Sequence, residues 1–152
     1  MVLLKSEVVL KAGDKAPDFD LLGIDDKKHS LAEYKDYKAK LIIFMCNHCP
    51  YVQAKVDAMK TFAKEKGFGF TYLVDETQEI AKKYGAVCTP DPFLFDKDGK
   101  LVFHGRIDNA MKPEDKPTEK TMIQNIEKVL SGNKIEKDFD PSMGCSIKWK
   151  SQ

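Results

Sequence analysis

The sequence predicts an α/β domain, a central mixed sheet flanked by helices, with a β-hairpin near its amino end. Three observations carry that prediction. Residues 41–45 form an apolar run that reads as a strand buried on both faces, and a helical stripe follows directly. A second apolar run at 70–74 completes a strand–helix–strand unit, whose usual outcome is a right-handed crossover with parallel strands. Downstream, Phe93-Leu94-Phe95 and Leu101-Val102-Phe103 flank Asp96-Lys97-Asp98-Gly99, a hairpin turn signal, and an amphipathic helix comes last.

The elements follow in order. Residues 2–10 read as a short edge strand, and 11–17 as a loop by Gly13 and Pro17. Phe19 and Leu21 alternate with Asp18 and Asp20 as a half-buried strand. Residues 25–28 make a polar turn, and 29–31 return as the second arm of a hairpin, with His29 on its surface. Ser30 is placed to cap a short helix through Tyr34. Val52, Val56, Met59 and Phe62 recur at helical spacing between Cys49 and Lys66, and Gly67 is a fitting stop. Asp75 or Thr77 caps a further helix through Tyr84, closed by Gly85. Residues 108–117 form a surface loop with two prolines. Thr118 caps the final helix, whose apolar positions are Met122, Ile123, Ile126, Val129 and Leu130, and Gly132 ends it.

The 152 residues suffice for one domain with a real core, 1–152. Within it, 1–35 is an amino-terminal extension and hairpin, and 133–152 is an irregular tail anchored by Ile147 and Trp149. With 42% hydrophobic and 32% charged residues and a net charge of +1, nothing pulls the chain toward nucleic acid or an anionic membrane. Residues 1–10, interrupted by Lys5 and Glu7, are too short and too polar for a signal peptide, and no segment approaches membrane-spanning length. The expected location is the cytoplasm, where four cysteines point to catalysis or metal binding rather than structural staples.

The chemistry concentrates at Cys46-Asn47-His48-Cys49-Pro50. A Cys-x-x-Cys after the first strand of such a unit puts Cys46 in the turn and Cys49 at about the first helical turn. Unpaired N–H groups and the positive end of the helix dipole favour a thiolate there, and a protonated His48 adds to the effect. Pro50 costs nothing where no helical acceptor exists for its missing N–H. These features prepare thiol–disulfide exchange, with Cys46 attacking, its thiol below the ordinary range, and Cys49 closing the ring. The order of elements is the thioredoxin-fold plan.

The chain also resembles a family. Gly13-x-x-Ala16-Pro17-x-Phe19, Cys46-Asn47-His48-Cys49-Pro50-Tyr51-Val52, Tyr84-Gly85-Ala86-Val87-Cys88-Thr89-Pro90, Phe103-His104-Gly105-Arg106-Ile107-Asp108 and the tail from Pro141 to Lys150 are similar to the thioredoxin-like redoxins. This group is related to alkyl hydroperoxide reductase/thiol-specific antioxidant proteins, and the resemblance is nearest to its peroxiredoxin-like thiol–disulfide oxidoreductases. It implies a cis bond between Thr89 and Pro90, packed against the disulfide. It implies an antioxidant-type redox enzyme with no organic cofactor. Its partners would be protein or small-molecule disulfides and thiols, a thioredoxin-type electron donor and, in a peroxidatic variant, hydroperoxides. Two departures are visible. Relatives carry a further strand and helix before the strand at 70–74, and its absence leaves a sheet edge that a second copy, as a homodimer, could cover. The peroxidatic Pro-x-x-x-Thr-x-x-Cys is also missing, since Ile43 and Cys46 stand where the threonine would be.

Other readings stay open. A zinc or copper site would draw on Cys46 and Cys49 with Cys88, Cys145, His48 or His104, although no second short-spaced pair supports it. Cys88 reads either as a small core hydrophobe or as an accessory redox thiol. Cys145, beside Gly144 in the tail, reads as a resolving thiol or a partner of Cys88. Asp91 is a candidate proton acceptor for Cys49, the central strand offering no carboxylate. His104 and Arg106 read as solvated, with Arg106, the only arginine, able to clamp a carboxylate.

Overall fold

A computed structural model describes residues 2–151. Its main sheet has the order β4-β7-β8-β9: β4 (Ala39–Phe44), β7 (Asp91–Asp96) and β8 (Leu101–Gly105) run antiparallel, and β9 (Phe139–Asp140) lies parallel to β8. A second sheet joins the two ends of the chain, placing β10 (Met143–Ser146) between β1 (Leu3–Lys5) and β6 (Cys88–Thr89). The third is the amino-terminal hairpin, β2 (Asp20–Gly23) and β3 (Lys28–Ser30), extended by β5 (Leu73–Val74).

Period-2 alternation along β7 divides the core. Phe93 and Phe95 pack with Phe19, Ile80 and Tyr84. Leu94 packs with Met59 and Phe62 of α1 (Pro50–Lys66), with Phe103, and with Met122 and Ile126 of α3 (Thr121–Leu130). All three β7 side chains are fully buried, each such burial being worth roughly 1.5–3 kcal/mol.

The predicted crossover does not form. β5 has two residues and pairs antiparallel with Leu22 and Gly23 of β2, not with β4. Gly67 and Gly69 follow the helix, residues 68–72 take no strand geometry, and the hairpin edge receives the short remainder. β4 is therefore an edge strand, half-buried along its length rather than buried on both faces, and among the described residues no strand covers its outer side.

Two caps differ from expectation and a third forms as expected, from Asp75. Ser30 and Thr118 make no side-chain cap. Thr118 instead exchanges hydrogen bonds with Asn109. The helix α2 (Glu79–Tyr84) has left-handed Gln78 at its start, and Asp75 reaches over it to accept the N–H groups of Ile80 and Ala81, at 3.3 and 2.8 Å. Gly67, with φ of 72°, does end α1. His29 is braced between Asp25 and Glu33, each at 2.9 Å, on the hairpin.

The tail is not irregular throughout. Residues 139–140 and 143–146 are strands, Ile147 packs on the core and donates its N–H to Val87, and the Lys82 ammonium sits 5.5 Å from the Trp149 ring. Alternation there is too brief to register as a period, because both strands depend on partners far away in sequence.

Candidate active site

β4 ends at Phe44, and residues 45–48 form a turn held by the Gln53 amide, which donates to the Asn47 carbonyl at 2.9 Å. Pro50 opens α1, so Cys49 is the N-cap, in extended conformation. The two sulfurs then part company. Cys46 and His48 are exposed, whereas Cys49 is only 2% exposed and packs with Tyr51, Val52 and Met143.

Across from the turn lies β6. The Thr89–Pro90 bond is cis, as the resemblance implied. Thr89 touches both sulfurs: its hydroxyl is 3.6 Å from Cys46 Sγ, and its carbonyl accepts a hydrogen bond from Cys49 Sγ at 3.4 Å. Thr89 and Pro90 are themselves buried. Behind them runs β10, with Cys145 in register opposite Thr89 and its sulfur 2.8 Å from Cys49 Sγ.

Gly144 makes this approach possible. A Cβ there would collide with the Thr89 carbonyl. Ser142 fixes the start of the strand, donating its hydroxyl to the Pro90 carbonyl at 2.6 Å and its N–H to the Ser6 hydroxyl at 2.8 Å.

The electrostatics follow this layout. Burial alone would push the Cys49 thiol up, but hydrogen bonds from Cys145, from the Val52 N–H and from Thr89 outweigh it and hold the thiol below its ordinary value. The helix amide thus serves Cys49, the N-cap sulfur. Burial, then the hydrogen bond to Cys49 and the charges on Cys49 and Cys46, push Cys145 up to about 11. Of the two sulfurs in contact, Cys145 is thus the one that holds its proton more tightly. Cys88 is fully buried; that burial, with Asp91 nearby, pushes its thiol up, so it behaves as a core residue.

Asp91 faces away from this task. It hydrogen-bonds His104 Nε2 at 2.6 Å rather than Cys49, and both side chains are almost wholly buried. His104 is not solvated: it stacks on Phe93 at 3.9 Å and 13°. Burial raises the Asp91 carboxyl against the lowering effect of His104. Asp91 Oδ2 and His104 Nδ1 have no partner. Sequence patterning missed this pair because cross-strand neighbours 13 residues apart carry no local signal. It missed the buried Lys55–Asp108 ion pair for the same reason. Arg106 does clamp carboxylates, Asp140 at 3.1 Å and Glu119 at 3.4 Å. Among the described residues no group of three or more His, Cys, Asp or Glu is arranged to hold a metal.

Residues 52–104 match the AhpC/TSA family model and residues 11–70 the Redoxin model. A hypothetical protein from Sinorhizobium meliloti superposes with a TM-score of 0.86 at 31% identity, over 97% of this chain and 99% of that one. An uncharacterized conserved protein from Geobacillus kaustophilus gives 0.82 at 34%, over 100% and 98%.

The chain belongs to the thioredoxin-like redoxins.

Within that family it is 29% identical to the thiol-disulfide oxidoreductase ResA of Bacillus thuringiensis, over 63% of this chain and 70% of the relative. That alignment runs over 124 residues, yet 63% of 152 is about 96, so the relative carries a segment with no counterpart here. The redoxin fold of this chain is accordingly a shortened one, consistent with the uncovered edge of β4. More distant thioredoxin-like structures share the fold.

Proposed function

We propose that this redoxin is a thiol–disulfide oxidoreductase in which Cys46 is the nucleophile and Cys49 the resolving thiol. The Cys46 thiolate attacks one sulfur of a substrate disulfide, forming a mixed disulfide and releasing a substrate thiolate. Cys49 then attacks Cys46 Sγ, closing the Cys46–Cys49 bond and releasing the second substrate thiol. A thioredoxin-type donor or small thiol returns the two electrons. The observation that carries this reading is the contact of Thr89 with both sulfurs. It sets an accessible thiol and a buried one against a single backbone edge, where the extended chain of a substrate can pair. His48 and Pro50 complete the turn. A cytoplasmic location belongs to the same proposal; among the described residues no helix is long and apolar enough to cross a membrane.

Insulin reduction with dithiothreitol as donor, run beside a hydroperoxide-consumption assay, tests it. Catalysed insulin precipitation with no peroxide turnover is expected. Peroxide turnover without insulin reduction would reassign the chain as a peroxiredoxin-like antioxidant peroxidase, although Ile43 removes the usual threonine.

A further inference from the structure

We propose that Cys145 is a third redox thiol, which takes over the disulfide from Cys46 so that the oxidised protein holds its bond between Cys49 and Cys145. This rests on the thiol–disulfide reading above and extends it.

The contact is built rather than incidental. Cys145 lies in a strand paired on both sides, opposite Leu3 on one and Thr89 on the other. Its sulfur reaches Cys49 Sγ at 2.8 Å, inside ordinary van der Waals contact of two sulfurs and about 0.8 Å beyond a bond. Gly144 lets the strand close on the Thr89 carbonyl, and Ser142 ties the same strand to Pro90. Every element that positions Thr89 against the two motif sulfurs therefore positions Cys145 as well.

The step is redox-neutral. Once Cys46 and Cys49 are joined, the Cys145 thiolate attacks Cys49 Sγ. The Cys49–Cys145 bond forms as the Cys46–Cys49 bond breaks, the bonding pair leaves on Cys46, and the proton lost by Cys145 passes to solvent or to Cys46. No external oxidant is needed. The reduced state restrains the step: there Cys145 donates to Cys49, and the charges on Cys49 and Cys46 help to keep it protonated. Forming the first disulfide removes both charges, so two of the influences that hold the proton are lost while burial, the largest, remains. Oxidation thus eases loss of the proton from the attacking group. Its consequence is that the disulfide gives up its exposed sulfur for a half-buried one, while Cys46 returns to solvent as a thiol.

Peptide mapping tests this on the full chain oxidised with glutathione disulfide, alkylated with iodoacetamide and digested with trypsin. Cys46 and Cys49 share the peptide 41–55, Cys145 lies in 138–148 and Cys88 in 84–97. The transfer predicts peptides 41–55 and 138–148 joined in the wild type, with the alkyl label on Cys46, and no joined pair from Cys46→Ser, which lacks the disulfide to be transferred. A looped 41–55 with the label on Cys145 in the wild type, or a joined pair that forms from Cys46→Ser as readily as from the wild type, would overturn the proposal and leave the oxidoreductase reading standing. Failure of the wild-type protein to reduce insulin would sink that reading itself, whichever peptides form. A tenfold preference for the Cys49–Cys145 disulfide would also make the wild-type potential about 30 mV more negative than that of Cys145→Ser. Equal potentials would count against the transfer.

Discussion

Cys46 and Cys49 are three residues apart, but they belong to different parts of the molecule. Cys46 sits on a turn whose shape is local: a strand end, a proline at the helix start and one side-chain bond from Gln53. Cys49 faces a wall made from both ends of the chain, with β1, β6 and β10 contributing residues more than a hundred positions apart. Local sequence therefore supplies two sulfurs, and long-range pairing makes them unequal. One is reachable by a protein substrate; the other is buried, with its thiol held below its ordinary value by its neighbours.

The sharpest way to break this contrast is to exchange the sulfurs for oxygen one at a time. Cys46→Ser is expected to reduce insulin turnover to background, since no other exposed thiol adjoins Thr89. Cys49→Ser should retain the first attack and accumulate a mixed disulfide, visible by mass spectrometry of the intact protein. If Cys46→Ser remained active while Cys49→Ser formed no adduct, the roles would be reversed.

A second test moves the wall without touching either motif sulfur. Gly144→Ala forces a methyl group onto the Thr89 carbonyl, and overpacking of this kind costs roughly 1–3 kcal/mol in a denaturant titration. Displacing β10 also weakens the hydrogen bond from Cys145, so the Cys49 pKa should rise, read as thiolate absorbance against pH. Alkylation of Cys46 should proceed as in the wild type. A stable variant with unchanged Cys49 titration would mean that β10 is not what holds the thiolate.

What could be read from the sequence divides along the same line. The turn, Pro50, the αL stop at Gly67, the hairpin about Asp96–Gly99 and the apolar faces of α1 and α3 all rest on spacings within a dozen residues, and each is present. The wall did not announce itself. Cys145 lies in a polar tail whose strand has four residues, and only pairing with Cys88 and Thr89, near the middle of the chain, gives it order. The crossover failed for a related reason: the pattern of 70–74 reports that a strand can form, not which edge it joins. Asp91 was a reasonable candidate base by its place after Pro90, but β7 aims it at His104.

That buried pair yields a pH test. Burial raises the Asp91 carboxyl above its unfolded value of about 3.8, so its stabilising contribution is fully present below that pH and is lost as pH rises through the folded pKa. His104 and Cys88 are the titratable groups it faces. Asp91→Asn keeps the shape and removes the proton equilibrium. The variant should gain stability relative to the wild type across that rise, in urea melts at successive pH values. A difference independent of pH would mean that His104 keeps Asp91 ionised throughout.

The smallest expected effect concerns how the tail is brought back to the site. Arg106 pairs with Asp140 and Glu119 and donates to the Thr121 hydroxyl, which looks like an electrostatic latch on β9. The guanidinium is a quarter exposed and Glu119 nearly half, so solvent screens much of the attraction. The backbone makes the same connection independently, Arg106 N–H to the Asp140 carbonyl at 2.7 Å and His104 N–H to the Asp138 carbonyl at 2.9 Å. Arg106→Gln should therefore cost no more than about 1 kcal/mol. It should leave the Cys49–Cys145 contact intact, seen as unchanged Cys49 titration. A loss several times larger, relieved by no added salt, would mean that the clamp rather than strand pairing delivers the tail, and the wall behind Cys49 would then owe its position to one arginine.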